Sequence, residues 1–236
     1  MVFRRRNVDK ELLDVARLIA RAQKLRDAGH FRESAGVYAE LVRRFDDWPE
    51  RREEGLRPSL SALGETLWKS GDLAVAAQTY DRLAEYQQER GHLEEAEFAW
   101  EAGARISGEA QQLNDSESRA RKAVAAAREL GNPVIGARAA QVLAQCLFLQ
   151  GRVEEAEESL LPTVEVDGDD SNDAAWVRCS TYELLTRIAI QRGDAAAAHS
   201  WATRLQNAMP ANGATDEQRR QTIRELLTQV LSVRET

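Results

Sequence analysis

Apolar residues along the chain recur at helical spacing on both sides of Gly71. Before this glycine they return every three or four residues, which places them on one face of a helix. After it the same rhythm resumes, which predicts a second helix and makes the glycine a turn between two helices. The positions are Leu60, Leu63, Gly64 and Leu67 before the glycine, and Ala76, Tyr80 and Leu83 after it.

Similar turns divide the rest of the chain. Gly29 and Gly71 are 42 residues apart, and so are Gly151 and Gly193; the middle of the interval between the two pairs holds Asn114-Asp115. Five turns flanked by helical patterns predict five hairpins, with a further helix at the C-terminal end. The predicted helices cover residues 8–28, 31–45, 57–70, 73–89, 93–112, 116–130, 134–150, 153–166, 174–192, 195–208 and 216–234.

These elements predict an all-α fold, an α-solenoid of about five antiparallel helical hairpins with a C-terminal capping helix. One domain over residues 1–236 is expected, because a length of 236 residues fits one domain or one uninterrupted repeat array. Pro162 is expected to end or bend the eighth helix early, since proline has no N–H to donate. The repeats cover approximately 8–48, 57–90, 92–131, 134–168 and 174–212, and the capping helix 214–236.

The order of large and small residues around these turns resembles the tetratricopeptide repeat. A large–small pair such as Leu63-Gly64 or Leu143-Ala144 precedes the turn glycine, alanine follows five residues after it, and an aromatic residue or leucine comes four later. Small residues let two antiparallel helices approach where their axes cross. The resemblance covers roughly residues 8–212. A period near 42 is longer than usual and is similar to the extended variants in bacterial regulators and kinesin light chains.

Two places depart from the family pattern. Ser34 stands where the first repeat should have a small alanine. The third repeat is weakly marked, and a rival phase would take Gly91, Ala96 and Trp100 as turn, small and aromatic residues. Because Gly91 follows Gly71 by only 20 residues, which is too short for a hairpin, we interpret Gly91-His92 as the link between two repeats.

The resemblance implies that the first helix of each repeat lines a concave groove. Residues just off the packing stripe are therefore candidates for binding a peptide or protein segment. Three of them, Trp68, Phe148 and Ile190, lie three residues before a turn glycine and would form an apolar strip, although packing against a neighbouring helix is the alternative. The candidates are Gln23, Arg26, Glu65, Trp68, Lys69, Gln141, Gln145, Phe148, Glu183, Arg187 and Ile190.

Members of the family that bind chaperones use lysine, arginine and asparagine to clamp a pair of carboxylates. The corresponding positions here hold mainly Gln23, Glu65, Gln145 and Glu183, with Lys69 and Arg187 isolated. Glutamates would repel a terminal carboxylate. A chaperone tail is therefore not the expected partner.

Charge narrows the choice of partner further. The chain carries a formal net charge of −7. Residues 51–110 hold seven Lys and Arg against twelve Asp and Glu, and residues 111–170 hold six against eleven. Such a middle section would repel a phosphate backbone, so we expect no nucleic acid, and a partner with a basic surface fits better.

The sequence holds few residues that could serve in catalysis or metal binding. His30, His92 and His199 are scattered, and Cys146 and Cys179 fall in predicted helices. The acidic stretch 167–173 does not match a calcium loop, because the expected glycine and glutamate are replaced by Asn172 and Arg178. We therefore expect no metal, no cofactor and no enzymatic activity. Without a signal peptide or an apolar run of membrane-spanning length, a cytoplasmic location is expected.

The function predicted from these observations is that of a scaffold or adaptor that binds a protein segment in the groove. A regulatory module that senses a small signalling peptide or ligand is the alternative, because long-repeat arrays of this kind also serve in that way. Self-association through the ends of the array is a separate hypothesis.

Overall fold

The computed structural model describes residues 2–164 and 172–208, with Gln221 and residues 224–226 and 228–229 near the C-terminus. Within this part the backbone forms helices and turns and no β-strand, which confirms the all-α class. Its helices are α1 (Val2–Asp27), α2 (Phe31–Asp46), α3 (Arg52–Ser70), α4 (Leu73–Gln88), α5 (Leu93–Glu109), α6 (Leu113–Leu130), α7 (Pro133–Leu149), α8 (Val153–Leu160), α9 (Asn172–Gln191) and α10 (Ala195–Ala208).

Most helix ends lie within a few residues of the predicted ones, but α1 begins at Val2 rather than 8, and two further differences are informative. Helix α3 begins at Arg52 rather than 57 and therefore contains Pro58. Helix α8 ends at Leu160, and the chain continues as a 3-10 turn over Leu161–Thr163. Since Pro162 cannot donate a hydrogen bond to the preceding turn, the early end that the sequence predicts at this proline is confirmed.

A shared turn ends several of the helices. At Gly71 the backbone is left-handed, with φ of 85°, and the N–H of Gly71 donates to the Trp68 carbonyl at 3.0 Å. The next N–H, that of Asp72, donates to the Leu67 carbonyl at 3.0 Å. This pair of bonds satisfies the last carbonyls of the helix, and glycine accepts the positive φ without strain. The same pair of bonds forms at Gly29, Gly91, Gly151 and Gly193.

The third turn lies at Gln111, so its prediction at Asn114-Asp115 is wrong. Gln111 adopts φ of 60°, and its N–H donates to the Gly108 carbonyl at 3.0 Å, while that of Gln112 donates to the Ser107 carbonyl at 2.9 Å. The bonds match those of the glycine turns, but glutamine occupies the left-handed position. Asn114 and Asp115 lie in the first turn of α6. This turn could not be located from the sequence, because it lacks the glycine that marks the other turns.

With Gln111 in place, the five turns are spaced by 42, 40, 40 and 42 residues. In each hairpin a buried small or short residue lies seven positions before the turn and another five positions after it. Their side chains leave room for the two helix backbones to approach. The pairs are Ala22 and Ser34, Gly64 and Ala76, Ala104 and Ser116, Ala144 and Ala156, and Thr186 and Ala198.

Serine serves as well as alanine at two of these crossings. The Ser34 hydroxyl donates to the Ala22 carbonyl at 2.8 Å, and the Ser116 hydroxyl donates to the Ala104 carbonyl at 2.7 Å. Each bond links the two helices of one hairpin and satisfies a hydroxyl that is fully buried. Ser34 therefore keeps the close crossing that the family pattern reserves for alanine.

Gly91 has the same turn geometry as the hairpin glycines, although it was interpreted as a link between repeats. Helices α4 and α5 pack against each other, and Ala84 and Ala96 are both fully buried beside this turn. The turn between α4 and α5 is therefore of the same type as the turn between α3 and α4. The hairpin of α5 and α6 is still identified by the bond from Ser116 to Ala104.

The chain forms two compact units, residues 1–119 and 120–236. Leu41, Leu56 and Leu60 are fully buried in the first, and Leu147, Leu160 and Leu185 in the second. Cys146 and Cys179 are both buried, and the Cys179 thiol donates to the Ala208 carbonyl at 3.5 Å. The single domain over residues 1–236 stays a prediction.

The predicted capping helix lies mostly outside the described residues. Those that are described, Gln221, 224–226 and 228–229, are helical. Leu226 is buried and packs with Cys179 of α9 and Leu205 of α10. The acidic stretch 167–171 also lies outside the described residues.

Candidate functional site

In the first unit, side-chain contacts join the first helices of three successive repeats. Arg26 of α1 lies 3.8 Å from the Glu65 carboxylate of α3, measured from Nη1 to Oε2. Trp68 of α3 donates its indole N–H to Glu109 at the end of α5, with Nε1 and Oε2 2.7 Å apart. The predicted residues Arg26, Glu65 and Trp68 therefore share one face of this unit, which we call the α1–α3–α5 face.

Trp68 is a large apolar residue of this face that is exposed to solvent. Its relative exposure is 42%, and its hydrogen bond to Glu109 fixes the position of the indole ring. Neighbouring Lys69 pairs with Glu65 at 2.6 Å and lies above the Phe31 ring, with 5.7 Å from Nζ to the ring centre. Polar side chains thus surround the exposed aromatic ring. We call Glu65, Lys69 and Glu109 the polar frame of Trp68.

The charges of this frame are not evenly matched. Glu65 is close to two cations, Arg26 and Lys69. Glu109 accepts only the neutral indole N–H and forms no ion pair with any residue that the structure describes. The side of Trp68 facing α5 therefore carries a negative charge that a cationic group could match.

Glu65 also affects two buried tyrosines of the second helices. Burial raises the pKa of Tyr80, and the Glu65 carboxylate raises it further. Burial likewise raises the pKa of Tyr38, where Arg26 opposes and Glu65 adds to the effect. Both phenols therefore stay neutral at physiological pH, and neither supplies charge to the face.

Gln23 is exposed and lines a cleft of about 380 Å³ between α1, α2 and α3. Arg26 and Tyr38 line the same cleft, so it opens beside the face that holds Trp68. Its apolar wall is made by Leu12, Val15, Ile19, Phe45, Pro58 and Ala62.

The remaining candidates belong to the second unit. On α7, Gln145 is exposed, while Gln141 and Phe148 are partly buried. On α9, Arg187 pairs with Glu183 at 2.7 Å. The apolar strip predicted for Trp68, Phe148 and Ile190, and a role of the whole candidate set in binding, stay predictions.

Ile190 also contributes to the packing of the second unit. It contacts the cluster of Cys179, Leu205 and Leu226, and also that of Ala189 and Ala198.

Sequence reasoning missed Glu109. Its position corresponds to that of Lys69 one repeat earlier, 40 residues away, so it belongs to the same face. The misplaced third turn obscured this equivalence. Once Gln111 is aligned with Gly71, the repeat pattern alone identifies Glu109 as a groove position.

No group of three metal-ligating side chains suited to an ion occurs in the described part of the chain. None of its helices is long and apolar enough to cross a membrane.

Comparison with solved structures finds the same succession of helices in other proteins. BtubC (BKLC) from P. vanneervenii is similar at 18% sequence identity and a TM-score of 0.66, with 89% of this chain and 90% of that chain covered. A Podosopora anserina protein described as a kinesin light chain, with nearly identical TPR-like repeats, is similar at 15% identity and a TM-score of 0.57. There 94% of this chain and 95% of that chain are covered.

No protein-family model and no curated protein sequence matches the chain. The likeness is therefore one of structure, and it agrees with the turns and small-residue crossings described above. The chain has the tetratricopeptide-like helical-repeat fold.

Proposed function

We propose that the chain is an adaptor that binds a segment of another protein on the α1–α3–α5 face. The observation that carries this proposal is the half-exposed Trp68 ring, held between α3 and α5 by its bond to Glu109. A rigid, partly exposed aromatic side chain is a typical anchor of protein interfaces, because little conformational entropy is lost when it is covered. Adaptor function is also typical of the fold.

The partner segment should present a lysine or arginine beside an apolar side chain. A cation placed on the Trp68 ring would gain from the ring electrons and from the Glu109 carboxylate together. The excess of acidic residues over 51–110 would attract such a segment at longer range. The cleft beside Gln23 offers an apolar surface for a neighbouring side chain of the same segment.

Replacing Trp68 by Ala tests the proposal. Proteins captured from the native host by wild type and by Trp68→Ala are compared by quantitative mass spectrometry, and the affinity of each candidate is then measured with purified protein. We expect affinity to fall by about tenfold or more, while circular dichroism stays helical.

Trp176→Ala is the matched control, because Trp176 is also 42% exposed but belongs to α9 of the second unit. It should leave the affinity unchanged. Glu109→Gln should weaken binding while leaving an oxygen to accept the indole N–H. Equal capture by wild type and Trp68→Ala would overturn the proposal.

The predicted groove residues of the second unit extend the proposal. Phe148→Ala should lower the affinity for the same partner if the segment also contacts α7. An unchanged affinity would limit the binding surface to the first unit.

A further inference from the structure

A polar clasp joins the second helices of two successive repeats in the first unit. Arg119 of α6 donates to both carboxylate oxygens of Asp81 of α4, at 2.7 and 2.6 Å, and to the Ser107 hydroxyl of α5 at 2.8 Å. Its side chain crosses α5 at Gly103, where an added Cβ would lie 3.1 Å from the arginine Cδ. The clasp thus fills the space over α5 and between α4 and α6.

The next repeat lacks every member of this clasp. Forty residues further on, Arg119 and Asp81 correspond to Ser159 and Arg121. The residues beneath them, Gly103 and Ser107, correspond to Leu143 and Leu147. A serine is too short to cross to α6, and two leucines replace the polar and open positions below.

A cleft occupies the corresponding place in the second unit. It has a volume of about 610 Å³ and is lined by α6, the turn before α7, α7, α8 and the 3-10 turn that follows. Leu143, Leu147, Ser159 and Arg121 all line it, so the cleft lies where the clasp is found in the preceding repeat. Its volume is in the range of sites for small molecules and short peptides.

The cleft has an apolar floor and a rim of both charges. Ala127, Ala137, Leu143 and Leu147 are buried and form the floor. The exposed rim carries arginines from α6 and glutamates from α8, namely Arg121, Arg128, Glu155 and Glu158. Among these, the side chains of Arg128 and Glu158 form no hydrogen bond or ion pair with a residue that the structure describes.

We infer that this cleft binds a short apolar peptide with free termini. Apolar side chains would cover the floor, the terminal carboxylate would pair with Arg128, and the terminal ammonium would pair with Glu158. Two cations and two anions on the rim favour a ligand whose own charges are separated and cancel. A purely anionic or purely cationic ligand would meet a repelling charge on one of the two helices.

This inference goes beyond the adaptor function, because the cleft is built from α6, α7 and α8 and not from the α1–α3–α5 face. The two proposals can therefore fail separately. A protein segment without free ends could cover the same floor but would leave at least one rim charge without a terminal partner. The termini thus distinguish a free peptide from a segment of a larger chain.

Isothermal titration calorimetry with Leu-Leu-Leu tests the inference on the full chain. We expect one molecule bound per chain with a Kd below about 1 mM. The same peptide with an acetylated N-terminus and an amidated C-terminus should bind about tenfold more weakly, because both charge pairs are lost. Absence of binding by the uncapped peptide, or equal binding of the capped one, would overturn the inference.

Variants locate the binding at the cleft. Arg128→Gln and Glu158→Gln each remove one of the two charge pairs, so each should weaken binding of the uncapped peptide by about threefold and leave binding of the capped one unchanged. Glu129→Gln, an exposed neighbour outside the cleft, is the matched control and should change neither. If the control has the same effect as the rim variants, the binding is a nonspecific charge effect and the inference is wrong.

A variant that rebuilds the clasp provides a second test. Arg121→Asp with Ser159→Arg restores the acidic and basic residues of the preceding repeat, and the new arginine should cross the cleft and exclude the peptide. We expect binding to disappear while the helical circular dichroism signal is kept. Undiminished binding by this folded variant would place the peptide elsewhere and overturn the inference.

Discussion

At the residue scale, the space available to a Cβ atom decides whether a helical glycine can be replaced by a larger residue. A Cβ added at Gly55 would lie 2.0 Å from the Phe45 ring, because the ring rests directly on the α3 backbone. Gly36, in the middle of α2, has no neighbouring atom within 4 Å of the same position. Packing against Phe45 thus requires a glycine at position 55. At position 36 glycine has no such role, and it destabilises the helix because its backbone loses more conformational entropy on folding.

Alanine substitution should therefore have opposite effects at these two glycines. We expect Gly55→Ala to lower the free energy of unfolding by about 2 kcal/mol or more, since the Phe45 ring has to move. Gly36→Ala should raise it by about 0.5 to 1 kcal/mol, because alanine favours the helix. Urea denaturation of both variants and wild type measures the difference. A loss of stability in both, or in neither, would contradict the packing described for Phe45.

At the element scale, the turns and the clasp hold consecutive helices together. The helix rhythm and the turn glycines were readable from the sequence, because both depend on local spacing and on the preference of glycine for positive φ. The turn at Gln111 was not, since a left-handed glutamine has no local signature. The contact of Trp68 with Glu109 and the clasp at Arg119 were missed for another reason: they join residues about 40 positions apart, which periodicity does not specify.

The left-handed turn at Gln111 leads to a reciprocal prediction. Gln111→Gly should raise the free energy of unfolding by about 0.5 to 1 kcal/mol, because it relieves the steric cost of φ near 60°. The reverse exchange, Gly71→Gln, should lower it by about 1 kcal/mol. Thermal unfolding followed by circular dichroism measures both. Equal shifts of the same sign would show that these two turns are not equivalent.

The coupling free energy between Arg119 and Asp81 of the clasp should exceed that of an exposed ion pair. Arg119 is only 12% exposed, and its two bonds to Asp81 are bidentate. A double-mutant cycle with Arg119→Gln and Asp81→Asn should give a coupling of about 1 to 2 kcal/mol. The pair of Arg187 and Glu183, within one helix and more exposed, is the control and should give about 0.3 to 0.5 kcal/mol. Similar couplings for both pairs would contradict a structural role for the clasp.

At the scale of the whole molecule, charge is concentrated along the middle of the chain. Residues 51–110 carry a net charge of −5, and so do residues 111–170. The whole chain carries −7, because its two ends are slightly basic. Composition therefore predicts a class of partner, one with a basic surface. It does not give the place of binding, because the position of Glu109 beside an aromatic ring follows from packing between repeats.

Salt should weaken the binding of a basic partner. Raising ionic strength from about 0.05 M to 0.5 M shortens the distance over which charges interact, so we expect the affinity of the captured partner to fall by about tenfold. Calorimetric titration at several salt concentrations measures the slope. Glu109→Gln should give a shallower slope than wild type. An affinity independent of salt would exclude a charge-guided partner.

Equal turn geometry at Gln111 and Gly151 makes the stretch between them removable as a cassette. A chain in which Gln111 is joined directly to Arg152 would regain the bond that Gln112 now donates to the Ser107 carbonyl, because Arg152 donates the same bond to Leu147. Ala156 would then oppose Ala104 where Ser116 does now. Shortening such a protein by forty residues at these turns thus keeps the backbone bonds of the turn, but it puts Ser159 in the place of Arg119 and leaves Asp81 without its arginine.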